Sequence, residues 1–150
     1  MRFETKTVHV GEDPDFRDGG SGDVVVPIHL SSTFARSKVD QPTAGYEYSR
    51  SGNPTRDALE ARFAALENAE YGLAFSSGMA AEATLCLSVL KPDDHVVAFD
   101  DLYGGTRRLF DRVLAPNSGI EFTYVDARDC ENIRCGLKEN TKLVFLESLY

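Results

Sequence analysis

Apolar and polar positions along this chain change their rhythm near Asn53. Before it, turn-forming clusters (GEDPD, RDGGSGD, DQPTAG) surround one β-rich piece, VVVPIHL, and no helical repeat with an apolar face appears. Pro27 lies inside that piece and has no N–H to donate, which rules it out as a central strand. After Asn53-Pro54 the pattern becomes regular. Leu59, Phe63 and Leu66 recur at helical spacing behind Thr55, a residue suited to cap, and predict a helix over about 55–69. Short apolar runs then alternate with helical stretches. Strands are predicted at 71–75, 95–99, 120–125 and 142–147, and helices at 79–90, 106–114 and 131–137, with Ala115-Pro116-Asn117-Ser118-Gly119 ending the second of these.

This alternation is the grammar of an α/β layer with a mainly parallel sheet. Ligands bind such sheets at the carboxyl ends of the strands. Ser77-Gly78 follows the first predicted strand, Asp101 to Gly105 follows the second, and Glu147 ends the fourth, so these residues fall on one edge. The organisation expected is an extended arm over 1–53 that packs on something else, another subunit being one candidate, and an α/β domain over 54–150.

Composition narrows the classes. With 150 residues, 42% apolar and 27% charged, the chain fits one soluble globular domain. No apolar run approaches the roughly 18 residues that a membrane span needs. The charged start, MRFETKTVHVGEDPD, is unlike a secretory leader, so a cytoplasmic protein with no membrane partner is expected. A net charge of −8 with scattered basic residues argues against a nucleic-acid partner. Cys86, Cys130 and Cys135 are odd in number and lack paired spacing, which fits a reducing compartment. His9, His29 and His95 are far apart, and no metal site is expected.

Three motifs carry candidate chemistry. In Ser76-Ser77-Gly78-Met79 the glycine lets the backbone approach an anion, and the helix that follows offers free N–H groups and its positive dipole end. Alone, it reads equally as a tight turn with a serine cap. No G-x-G-x-x-G or Gly-Lys-Ser occurs, so dinucleotides and nucleoside triphosphates have no support. Tyr48-Ser49-Arg50, before Ser51-Gly52-Asn53-Pro54, sets a planar bidentate donor and a phenol beside a rigid turn. In Asp100-Asp101-Leu102-Tyr103-Gly104-Gly105-Thr106 a tyrosine beside two glycines can lay its ring on another aromatic system. Singly, the last two read as a solvated cation and a glycine turn.

Taken in order, TKTVHVGEDPD, VVVPIHLSSTF, YEYSRSGNPTRDALE, AFSSGMAA, DDLYGGTRRLF and TKLVFLES resemble the cystathionine γ-synthase and γ-lyase group of the Cys/Met-metabolism family of fold-type I pyridoxal phosphate enzymes. The resemblance covers nearly the whole chain. It implies the first part of a fold-type I domain and pyridoxal 5'-phosphate as cofactor. It assigns the cofactor phosphate to the backbone amides at Ser77, Gly78 and Met79, and to Tyr48 and Arg50 reaching in from a neighbouring subunit. Tyr103 matches the tyrosine that stacks on the cofactor ring and helps proton movement, and Glu147 matches a glutamate near the cofactor. The implied substrates are cystathionine, activated homoserine and cysteine, acted on by elimination or replacement at the γ-carbon. The implied assembly is a homotetramer made of two active-site dimers. O-acetylhomoserine sulfhydrylase and methionine γ-lyase are the near alternatives.

The resemblance also implies groups beyond Tyr150: an Asp that pairs with the pyridinium nitrogen, the lysine that holds the cofactor covalently, and an Arg for the substrate carboxylate. Leu149-Tyr150 stand where the family has Pro-Thr, as a frameshift or gene-model error would leave them. Lys142, after Thr141, is a poor substitute, because it opens a predicted strand at the wrong edge. The expectation is an N-terminal portion, inactive by itself. The alternative of another class is a noncatalytic product that docks on complete subunits.

Overall fold

The computed structural model describes residues 1–12, 14 and 21–148, and the chain groups into two compact units, Met1–Ala74 and Phe75–Tyr150.

The first unit begins with a helix, α1 (Phe3–His9), where no apolar period predicts one. None of its residues is buried. Polar contacts secure it instead: Lys6 Nζ donates to the Ala65 carbonyl and to Asn68 Oδ1, both at 2.7 Å. Gly11, at φ 79°, carries the chain onward where a Cβ would stand only 2.5 Å from the Ala58 carbonyl oxygen, an approach open only to glycine. A small antiparallel ribbon follows, β1 (Arg36–Lys38) and β2 (Gln41–Pro42), and Thr33 bridges Tyr48.

VVVPIHL pairs with no strand. Main-chain groups of Pro27 and His29 bond instead to side chains at the start of α2 (Pro54–Leu66). The His29 N–H donates to Thr55 Oγ1 (2.9 Å), that hydroxyl donates to the Pro27 carbonyl (3.1 Å), and Asn53 Nδ2 donates to the His29 carbonyl (3.1 Å). Asn53, not Thr55, caps α2, its Oδ1 accepting from the Thr55 N–H at 2.9 Å, and Pro54 fills the first helical position, where a missing N–H costs nothing.

The second unit runs α3 (Gly78–Val89), β3 (His95–Phe99), α4 (Gly104–Leu109), a π-helical segment (Phe110–Leu114), α5 (Ala115–Ser118), β4 (Glu121–Val125), α6 (Cys130–Gly136) and β5 (Thr141–Phe145). The sheet is wholly parallel in the order β4-β3-β5. The strand expected at 71–75 is absent: those residues are irregular, and the Ala74 N–H is taken by Glu60 Oε1 at 2.9 Å instead of a ladder partner. Tyr71 and Leu73 stay exposed, as unpaired apolar residues on irregular chain do.

Central β3 is buried on both faces, which explains its uninterrupted apolar run. On one face Val96 and Ala98 cluster with Cys86, Leu90, Phe110, Leu114 and Ile120. Phe110 is fully buried, stacked on Phe122 at 4.7 Å between centroids and edge-on to Phe145 at 5.2 Å. On the other face Gly136 of α6 sits close enough that a Cβ would lie 3.2 Å from Val125 Cγ1 and 3.5 Å from Val97 Cγ1.

The helical stretch predicted to end at Leu114 continues to Ser118, closed by Gly119 at φ 65°. Pro116 lies within it. Its ring cannot donate to the Arg112 carbonyl and would clash with it in a regular α-turn, and the chain widens into the π segment just ahead of it.

Candidate functional site

At the carboxyl edge of the sheet the chain leaves β3 into Asp100–Tyr103 and leaves β5 towards Glu147, while α3 begins with Ser77-Gly78-Met79. Ser77 is extended (φ −162°, ψ 162°), and its Oγ accepts from the Ala80 N–H at 3.1 Å. That leaves the hydroxyl proton free to point outward. The N–H groups of Gly78 and Met79, in the first turn of a 12-residue helix, have no intrahelical acceptor. A Cβ on Gly78 would meet nothing within 4 Å, so the backbone there is open to an approaching group. Exposed amides, a donor hydroxyl and the positive end of the helix dipole suit a phosphate.

Tyr103 comes to the same place. A Cβ on Gly105 would stand 2.4 Å from Tyr103 Cε1 and 3.0 Å from Met79 Sδ, so the ring, the sulfur and the glycine meet at one point. Tyr103 is 58% exposed, which leaves its ring able to receive a planar aromatic group. Glu147 Oε2 accepts from the Tyr103 N–H at 2.8 Å. Thr106, fully buried, donates from Oγ1 to Glu82 Oε2 at 2.9 Å and ties α4 to α3. The second unit therefore brings together Ser77, Gly78, Met79, Tyr103 and Glu147.

Tyr48 and Arg50 lie in the first unit. A turn in which the N–H groups of Ser51 and Gly52 both donate to the Tyr48 carbonyl (2.9 and 3.0 Å) presents them on one side, with the Arg50 guanidinium 5.0 Å from the Tyr48 ring centroid. Both are exposed, and among the described residues no carboxylate pairs with Arg50. The turn is rigid because Asn53 Nδ2 donates to Ser49 Oγ (3.0 Å) and Arg56 donates to the Ser49 carbonyl (2.7 Å).

Some groups at the site carry no sequence signal. Glu82 lies just past the AFSSGMAA block, and nothing in the sequence marks it as the partner of Thr106. Phe99, Asp100, Asp101 and Arg128 line an open cleft of about 380 Å³ beyond β3. Arg128 grips Asp126 through two side-chain bonds of 2.8 and 2.6 Å, which hold that carboxyl down at about 2. The lysines are as telling as the motifs. Lys91, Lys138 and Lys142 all lie at the amino edge of the sheet: Lys91 ahead of β3, Lys138 ahead of β5 and bonded to Glu121 at 3.0 Å, and Lys142 second in β5. None reaches the edge that holds Ser77 and Tyr103.

The second unit is a parallel α/β layer with open amides at a helix start and an exposed tyrosine ring beside them. The Cys/Met metabolism PLP-dependent enzyme signature matches residues 4–150, and the chain belongs to that family. It is 47% identical over 146 residues to a probable cystathionine γ-synthase of Herpetosiphon aurantiacus, covering 97% of this chain and 44% of the relative. It is 44% identical over 148 residues to the human cystathionine γ-lyase, covering 99% and 35%. The crystal structure of metB from Corynebacterium glutamicum superposes with a TM-score of 0.90 at 46% identity, covering 96% of this chain and 36% of that one. The chain thus spans less than half the length of these relatives. The arrangement at 77–79 and 103 fits the family's cofactor, which has an anionic phosphate and a flat aromatic ring. Among the described residues no helix is long and apolar enough to cross a membrane.

Proposed function

We propose that this chain forms the N-terminal part of a transsulfuration enzyme of cystathionine γ-synthase or γ-lyase type. The observation that carries the reading is the meeting of Tyr103, Gly105 and Met79 at the first turn of α3, beside open amides. When bound, pyridoxal phosphate supplies an electron sink for charge developing next to the amino acid's α-carbon. The Gly78 and Met79 N–H groups and the Ser77 hydroxyl bind its phosphate. Tyr103 would hold the aromatic ring by stacking, with its Oη–H available as a donor. Tyr48 and Arg50 complete the phosphate grip from a second subunit, which gives the exposed turn at 48–52 its purpose. Such positioning removes orientational freedom before any bond changes. The lysine that completes the site, the Asp for the pyridinium nitrogen and the Arg for the substrate carboxylate belong to the remainder of the subunit, as does the homotetramer.

Similar identity to a γ-synthase and to a γ-lyase, 47% and 44%, leaves the choice between replacement and elimination to residues outside this segment. The test uses the product of the complete gene. Supplied with cystathionine alone, a lyase releases cysteine and a keto acid, whereas a synthase needs activated homoserine plus cysteine to turn over. Absence of both reactions, with cofactor bound, would overturn the reading. The 150-residue chain by itself is expected to give neither.

A further inference from the structure

We propose that Glu147 and Gly105 are positioning residues for Tyr103. The Glu147 carboxylate fixes the main chain of the turn, and the bare Cα of Gly105 forms the seat on which the ring lies beside Met79. The proposal rests on the reading of Tyr103 as the residue against which the cofactor ring stacks.

A side chain 58% exposed is not held by burial, so its orientation must come from the backbone and from the few atoms it touches. Tyr103 precedes α4 without any side-chain cap, and it lies in a loop beyond the β3 ladder. Its N–H would face water were it not for Glu147, 44 residues later, reaching across from the end of neighbouring β5 to accept it at 2.8 Å. A charged acceptor makes this the stronger kind of hydrogen bond. The same turn is tied a second time, three residues on, by buried Thr106 donating to Glu82 of α3 at 2.9 Å. The two ties join the turn to different elements, β5 and α3, and so fix it relative to the Gly78 amides. What remains is rotation of the ring. Gly105 sets that, since any Cβ there would occupy space 2.4 Å from Cε1 and 2.9 Å from Cδ1 of the ring, and would press on Met79 Sδ at 3.0 Å. The ring would be forced off its seat.

The experiment uses the product of the complete gene, first free of cofactor. Amide hydrogen exchange at Tyr103 in Glu147→Ala is expected to quicken about tenfold or more, the loss of one bond to a charged acceptor. Glu147→Gln keeps a carbonyl acceptor and is expected to restore most of the protection. Gly105→Ala should leave that amide protected, yet alter the visible circular dichroism of added pyridoxal phosphate and weaken its binding about fivefold, the scale of one aromatic contact. Unchanged exchange in Glu147→Ala, or equal loss in Glu147→Gln, would overturn the role of Glu147. Unchanged dichroism and binding in Gly105→Ala would overturn that of Gly105, provided that Tyr103→Ala does change them. If Tyr103→Ala leaves both untouched while the exchange results hold, the anchoring stands and the stacking assignment is what fails.

Discussion

Ser77 and His95 illustrate two uses of a single polar side chain. Ser77 Oγ accepts from the Ala80 N–H, which leaves its hydroxyl proton available as a donor. Ser77→Ala removes both, and thermal or urea denaturation should register a loss of about 1 kcal/mol, typical of a lost cap. Cofactor titration of the complete protein should weaken in parallel, whereas Ser77→Thr should retain most of each. His95 is fully buried in β3, with Nδ1 and Nε2 each 2.8 Å from a threonine hydroxyl, on Thr141 and Thr123 of the flanking strands. Burial foremost, then Lys138, lowers its pKa, while Glu121 works weakly against them. An imidazole kept neutral by the fold charges more readily in the unfolded chain. As pH falls below the ordinary value of 6.5, the unfolded state binds the extra proton and stability drops. Urea midpoints measured above and below that pH should show the slope, and His95→Gln should flatten it.

Elements in the second unit owe their place to aromatic packing more than to helix propensity. Phe110 opens the π segment and inserts between Phe122 of β4 and Phe145 of β5. The widened turn is reinforced on its outer side. Tyr124 Oη donates to Asp111 at 2.6 Å, Arg107 Nε donates to the same carboxylate at 2.6 Å, and the guanidinium lies 3.5 Å from the Tyr124 ring centroid. The Tyr124 bond first, and then Arg107, keep the Asp111 carboxyl below its usual range, and burial with the Asp111 bond pushes the phenol up. Phe110→Ala should cost about 3–5 kcal/mol in urea unfolding, the range for a buried phenylalanine. A cost under about 1 kcal/mol would mean that the aromatic stack can close over the gap.

For the molecule as a whole, the unpaired surfaces dominate. Val24, Val25, Ile28, Leu30 and Val39 are 67–91% exposed in the first unit, far more apolar surface than a short loop needs to show. Among the described residues of the second unit β5 pairs only with β3, which makes β5 an edge strand, with Val144 exposed in it and Leu146 exposed just beyond it. The 150-residue chain produced alone is therefore expected to self-associate. Sedimentation should show mass rising with concentration, and a single monomeric species would contradict this.

Much of the second unit was legible because local signals agreed there. The apolar run of β3, the strands on either side and the Asp129-capped helix α6 all occur within a residue or two of where periodicity and turn residues put them. The glycine motif at 104–105 lies at the carboxyl end of β3, where the alternation of elements put it, and at Gly105 a Cβ has no room beside the Tyr103 ring. The sequence determined the family and the strand–helix alternation from β3 onward, both of which depend on residue type and order. Tertiary structure decided the rest. Helix α1 exists through bonds to residues about 60 positions away, the extended piece at 24–30 is held by Asn53 and Thr55 instead of a sheet, and the stretch 71–75 stays irregular once Glu60 takes the Ala74 amide. The Glu147–Tyr103 and Glu82–Thr106 ties join residues 44 and 24 positions apart. No local pattern encodes such pairs, because the partner's distance is fixed only when the strands and helices have packed.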